Sequence, residues 1–124
     1  MKNNIIKQKS FSFSLRIIKL YKYLISIKKE YVLSKQILRS GTSIGANIEE
    51  AIGGQSRKDF INKFSIAYKE ARETHYWLEL LFASDFIDNK SYKSIIFDCE
   101  EILKIITKIQ KTNKRQLKHK ISNY

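Results

Sequence analysis

The chain has 124 residues, no proline, one cysteine and a formal net charge of +12, enough for one domain with a core and too short for two. No apolar run approaches the roughly 20 residues of a membrane span, and the basic start MKNNIIKQKS lacks the apolar stretch and cleavage site of a secretory signal. Lone Cys99 excludes an internal disulfide, and with two separated histidines it excludes a structural zinc site; the expected compartment is the cytoplasm.

In chain order, helical periodicity predicts a first helix over about 13–27, with Ser12 as N-cap and Ile17, Leu20, Tyr21, Leu24 and Ile27 along one stripe. After a break at Lys28, Lys29 and Glu30, a second helix is expected over 33–52. Its stripe is Leu33, Ile37, Gly41, Ile44, Ile48 and Ile52, and Gly53-Gly54 supplies a left-handed stop. Ser56 and Asp59 form a capping-box-like start for a third helix over 57–82. Its seam of Phe60, Phe64, Ala67, Ala71, Leu78 and Leu81 is widened by Ile61, Tyr68, Trp77 and Phe82. That face is too broad for one core contact, and a patch containing Tyr68, Trp77 and Phe82 on a monomer predicts self-association. A turn at 84–89 leads to a fourth helix over 90–111, with Tyr92, Ile95, Ile96, Cys99, Ile102, Ile106 and Ile109 inward; residues 112–124 are expected to be a frayed basic tail. Four helices with short connections predict an all-α, single-domain, up-down-up-down antiparallel bundle.

Charge is segregated along the chain. Residues 1–40 carry ten Lys or Arg against one acid and residues 104–124 seven against none, whereas the middle has seven against eleven. Lysine outnumbers arginine 19 to 5, as AT-rich codon usage would produce, but that bias also favours Asp and Glu and does not segregate cations. An antiparallel bundle brings the N-terminus, the connection between helices two and three, and the C-terminal tail to one end. The expected basic pole therefore contains Lys2, Lys7, Lys9, Arg57, Lys58, Lys111, Lys114, Arg115, Lys118 and Lys120. Such a pole suits a polyanion bound through its backbone. Tyr21, Tyr23, Tyr31 and Tyr124 are available to stack on bases, although packing is the ordinary use for all but Tyr124.

Catalytic constellations are missing from the pattern. A di-iron bundle needs Glu-x-x-His on two helices, and the nearest approach is Glu73-Thr74-His75. His75 and Glu79, at i and i+4, read as a surface pair. Gly41-Thr42-Ser43-Ile44-Gly45 lacks the Gly-Lys-Ser/Thr ending of a phosphate loop and reads as close helix packing. Cys99 reads as a small buried side chain. No enzyme activity, metal or cofactor is expected. Asn47, Glu49 and Glu50 leave two alternatives open. In one, Asn47 bonds across the bundle and the glutamates pair with Arg39, Arg57 or Arg72; in the other, they form a ligand site.

The run Gln36-Ile37-Leu38-Arg39-Ser40, then Ser43-Ile44-Gly45-Ala46-Asn47-Ile48-Glu49-Glu50-Ala51, then Phe60, Phe64, Ile66 and Ala67, resembles the 23S rRNA intervening-sequence proteins, also called four helix bundle proteins. The similarity spans roughly residues 11–110. Its motif residues are Gln36, Arg39, Ser43, Asn47, Glu50, Phe60 and Phe64, while Glu49 and Ala51 depart from the usual Asn-Ile-Ala-Glu-Gly. The resemblance implies a ring, typically a pentamer, and kinship with accessory variability proteins of diversity-generating retroelements, which engage a reverse transcriptase and nucleic acid. The expected function is a non-enzymatic homo-oligomer binding RNA or DNA; the alternative is a protein-interaction scaffold, for example for a reverse transcriptase.

Overall fold

The stripes of apolar side chains collapse into one core in the computed structural model, which describes residues 2–122, the side chains of Lys2, Asn3 and Ser122 excepted. Four helices follow one another: α1 (Lys2–Ser26), α2 (Leu33–Ile52), α3 (Arg57–Ala83) and α4 (Asn89–Ser122). α1 packs on α2, α2 on α3 and α3 on α4, while α4 closes more sparsely on α1; the diagonal pairs make no close backbone approach. The all-α four-helix bundle expected from periodicity is the fold observed.

Two helices outrun their expected bounds. α1 begins eleven residues before Phe13, and Ser12 is an exposed mid-helix residue rather than a cap. The reason is that Ile6, Ser10 and Phe13, all buried, continue the stripe of Ile17 and Leu24 backwards. A serine in that stripe hides its period from a hydrophobicity count. Likewise residues 112–122 are helical and not a frayed tail. The segment contains good helix formers and no Gly or Pro, and Arg57 ties it down by donating to Asn113 Oδ1 at 2.7 Å and to Gln116 Oε1.

The connections use different chemistry from that expected. Gly53 closes α2 in a right-handed conformation (φ −81°, ψ −1°), and no glycine has positive φ among the described residues. The left-handed positions are Lys29 (φ 56°) and Asp85 (φ 67°). Asp85 follows the Ser84 C-cap of α3 in a Schellman turn, where Phe86 N donates to Leu81 O at 2.9 Å. α3 does start with Ser56, whose Oγ accepts from Asp59 N at 3.0 Å. The start of α2 is capped by Glu30, placed in the break between helices. Its carboxylate accepts from the N–H of Val32, Leu33 and Ser34 at 3.2, 3.0 and 2.7 Å. Burial pushes the Glu30 pKa up, but these backbone bonds outweigh it and hold the carboxyl below its ordinary value.

Part of the broad face of α3 is covered within the monomer, where Trp77 and Phe82 are half-buried. α3 lies between α2 and α4, so it has two contact directions. Phe82 stacks on Tyr92 with ring centroids 4.2 Å apart, and Trp77 Nε1 donates to Glu73 at 3.2 Å, leaving only Tyr68 of that trio exposed. Other exposed apolar side chains are Ile66 and Tyr76 on α3, Ile5, Phe11 and Leu15 on α1, Ile27, Tyr31 and Val32 around the first connection, and Phe97 on α4.

α1 and α2 meet at glycine. A Cβ on Gly41 would lie 2.7 Å from Ile17 Cγ1, inside a fully buried branched side chain, whereas one on Gly45 would meet only Ser10 O and Ser14 Oγ at 3.4 Å. Gly41→Ala should therefore lower unfolding free energy by about 1–3 kcal/mol through overpacking despite alanine's better helix propensity. Gly45→Ala should be neutral or stabilising by up to about 1 kcal/mol; urea denaturation of the two variants checks this opposition. Removing the cap by Glu30→Ala should cost about 1 kcal/mol at pH 7. Because the folded pKa of Glu30 is depressed, its contribution is present above the unfolded value near ~4.3 and disappears as pH falls through the folded value. The urea midpoints of wild type and Glu30→Ala should differ at pH 7 and converge as the pH falls through the depressed folded value of Glu30.

Candidate nucleic-acid interface

The antiparallel order brings the two chain ends and the α2–α3 connection to one tip, as contacts between the elements record. Lys7 near the start of α1 reaches Glu49 near the end of α2 at 3.4 Å, and Arg57 at the start of α3 reaches Asn113 and Gln116 on α4. The candidate cations at this tip differ in what they face. Lys7 and Lys9 are neutralised by Glu49 and by Glu101, the latter at 2.8 Å. Arg57 bonds only amide oxygens, so its charge is retained while its guanidinium is held in place. Lys58, Lys111, Lys114, Arg115 and Lys120 are exposed and have no carboxylate partner among the described residues. Lys118 is also exposed. The side chain of Lys2 and the whole of Tyr124 lie outside the described residues.

α4 converts these separate cations into a surface. At 3.6 residues per turn, Lys104, Lys108, Lys111, Arg115 and Lys118 fall at steps of four, three, four and three on one face. From Lys104 to Arg115 the cations span about 16 Å of helix. Lys104 and Lys108 are exposed and without a carboxylate partner, and they are absent from the pole inferred by gathering chain ends. The signal that finds them is the three- and four-residue spacing of cations. That spacing acquires meaning only if residues 112–122 are helical. Beyond Glu101 the chain has no Asp or Glu, so no carboxylate on α4 itself interrupts this face.

The α2 run occupies one side of its helix. Arg39 forks to Glu70 at 2.9 Å and Glu73 at 2.6 Å across the α2–α3 boundary. Burial pushes the Glu73 pKa up, but the Arg39 bond, the Trp77 N–H and the charges of Arg39 and Lys69 together hold it low. Ser43 Oγ donates to Arg39 O at 2.6 Å, and Asn47 Nδ2 donates to Ser43 O at 2.8 Å, within α2 and not across the bundle. Glu49 and Glu50 pair with Lys7 and Lys63, not with arginine. Gln36 is exposed, and Phe60 stacks on Phe64 with centroids 4.4 Å apart. Below this surface, Thr74 Oγ1 donates to buried Ser40 Oγ at 2.8 Å, tying α2 to α3.

The 23S rRNA-intervening sequence protein family model matches residues 2–108. The chain belongs to this family. A solved structure from Bacteroides thetaiotaomicron VPI-5482, described as a protein with unknown function from the S23 ribosomal protein family, is 58% identical with a TM-score of 0.88, covering 90% of this chain and 99% of that one. No curated protein matches significantly. In this family member the matched span ends at residue 108, so Lys111, Lys114, Arg115, Lys118 and Lys120 lie beyond it, while Lys104 and Lys108 lie inside.

Other reactive groups are held in structural contacts. Cys99 is fully buried, and burial first, then Glu100 and Asp98, push its thiol up to about 12, so no thiolate forms at neutral pH. His75 bridges Glu79 at 3.3 Å and Glu100 at 3.0 Å. The described residues contain no cluster of three or more His, Cys, Asp or Glu able to hold a metal, and no helix is long and apolar enough to cross a membrane. Arg57→Ala should release the far end of α4. Amide exchange at residues 113–118 should quicken several-fold, while global stability changes by no more than about 0.5 kcal/mol, as read by hydrogen exchange and urea denaturation.

Proposed function

We propose that this protein is a non-catalytic, self-associating bundle that binds RNA or DNA through backbone phosphates along α4. The observation that carries the reading is the exposed face of Lys104, Lys108, Lys111 and Arg115, which α4 presents without facing carboxylates. Four cations on a rigid rod replace condensed counterions along a strand, and affinity arises from their release. Lys58, Lys114 and Lys120 extend the same field at the tip. Lysine contributes point charge rather than base geometry, so the expected mode tolerates sequence.

Self-association rests on the exposed apolar side chains of α1. Phe11 is 67% and Leu15 54% exposed, one helical turn apart, and copies packed through them would repeat the cationic face with avidity. A pentamer is the stoichiometry we propose, with light scattering as its test: Phe11→Lys with Leu15→Glu should yield monomers. A second reading, a scaffold for a protein partner, is supported by the exposed Ile27, Tyr31 and Val32 near the opposite tip. Co-purification of a protein partner lost on Tyr31→Ser with Val32→Ser would favour it.

Fluorescence anisotropy with a 20-nucleotide strand tests the main reading. Affinity should fall about 50- to 150-fold between about 50 and 200 mM salt, and each of Lys104→Ala and Lys111→Ala should reduce the logarithmic salt slope by nearly one. Binding that ignores salt and survives combined alanine substitution of Lys104, Lys108, Lys111 and Arg115, with helicity intact, would falsify the phosphate mechanism.

A further inference from the structure

We infer that the groove between α3 and α4, alongside the cationic face, seats an unpaired nucleobase, which makes single-stranded nucleic acid the substrate class. This inference rests on the phosphate-binding reading above and adds to it a site for the base.

The groove has a volume of about 380 Å³ and is lined by Ser65, Tyr68, Thr107, Gln110, Lys111 and Lys114. Its position supplies the first argument. Lys111 belongs both to the groove and to the face of Lys104, Lys108 and Arg115, and neither Lys111 nor Lys114 has a carboxylate partner among the described residues. A strand whose phosphates follow α4 therefore passes the mouth of the groove. A stacked duplex keeps its ring faces covered, whereas a single strand can turn a base aside onto an aromatic side chain.

The lining supplies the second argument. Tyr68 is 36% exposed, and neither its ring nor its hydroxyl has a partner among the described residues. Tyr92 is already stacked on Phe82 and Tyr76 is edge-on to Trp77, whereas Tyr68 lines the groove itself with its ring available for stacking. Gln110, only 8% exposed, donates through Nε2 to Ile61 O at 2.8 Å and Ser65 Oγ at 2.9 Å, while its buried Oε1 has no partner. A buried acceptor without a donor is uncommon in folded proteins; this oxygen is sealed from the groove in the free protein, so the exocyclic amino group of adenine, cytosine or guanine would reach it only after the Gln110 amide turns toward the groove. Arg72, one turn beyond Tyr68 on α3, is exposed and without an ion pair among the described residues, and adds a cation one turn along the helix.

The test holds charge constant and varies only the base. The full chain is titrated by anisotropy against a labelled 12-nucleotide deoxyadenosine strand and against an abasic deoxyribose-phosphate strand of the same length. The deoxyadenosine strand should bind about tenfold more tightly. Tyr68→Ala should remove that advantage without changing the salt slope, since no cation is lost, and Tyr68→Phe should keep it. Circular dichroism checks that both variants fold. Equal affinity for the two strands, or an advantage that survives Tyr68→Ala, overturns the base site. If binding then still depends on Lys104, Lys108, Lys111 and Arg115, the phosphate reading stands alone. If neither strand binds, both inferences fall together.

Discussion

The close approach of α1 to α2 is the contact on which the arrangement of the bundle depends. Gly41 leaves room for Ile17, and Gly45 lets the Ser10 backbone and Ser14 hydroxyl come near α2. α1 needs this contact because its other neighbour, α4, is approached more sparsely. Arg16 reaches Asp98 at 2.6 Å and also bonds Ser94, while Lys9 reaches Glu101. Partly exposed ion pairs of that kind contribute little individually. The glycine contact seats α1, and the ion pairs then set its register against α4. With α1 in place, Ile6 and Phe13 complete the core at the tip that carries the cations.

The same packing divides the positive charge into two populations. Cations on the inner shoulders of helices find acids on neighbouring helices: Lys7 with Glu49, Lys9 with Glu101, Lys63 with Glu50, and Arg39 with Glu70 and Glu73. Most of these pairs cross a helix boundary and help define how the helices mate. The outer face of α4 has no such neighbours. Its lysines point away from the bundle, and Glu49, Glu50, Glu70, Glu73, Asp98 and Glu101 are paired with other cations. Net charge alone does not distinguish a cation that holds helices together from one available to a partner; the position of each around its helix does.

The bundle is also polar where helices must lock in register. Ser40 and Thr74 share a hydrogen bond in the core between α2 and α3, and Cys99 Sγ donates to Ala71 O at 3.4 Å. Gln110 joins α4 to the backbone of α3. Each is small or fully extended along a boundary, so it satisfies most of its own hydrogen bonding without opening a cavity. Among the described residues, Ser34 Oγ and Gln110 Oε1 are the buried side-chain atoms left unpartnered, and Gln110 lines the groove assigned to a base.

Sequence by itself determined the fold class, four helices, the start of α3 at Ser56, the stripe from Leu33 to Ile52 and the inward positions of α4. These features are written in spacing, and spacing is a property of the chain alone. The regular step of Lys104, Lys108, Lys111 and Arg115 was legible in the same way, but its significance was hidden by the polar composition of residues 112–122. Tertiary structure decided which polar segments are helical, because Ile6 and Ser10 gain burial only in the assembled bundle, with Ser10 beside Gly45 of α2, and the end of α4 is held by Arg57. It also decided which faces are covered. Trp77 and Phe82 look surplus on an isolated helix yet find Glu73 and Tyr92, while Phe11 and Leu15 find nothing. Burial and ion pairing depend on neighbours distant in sequence, and no local pattern encodes where those neighbours stand.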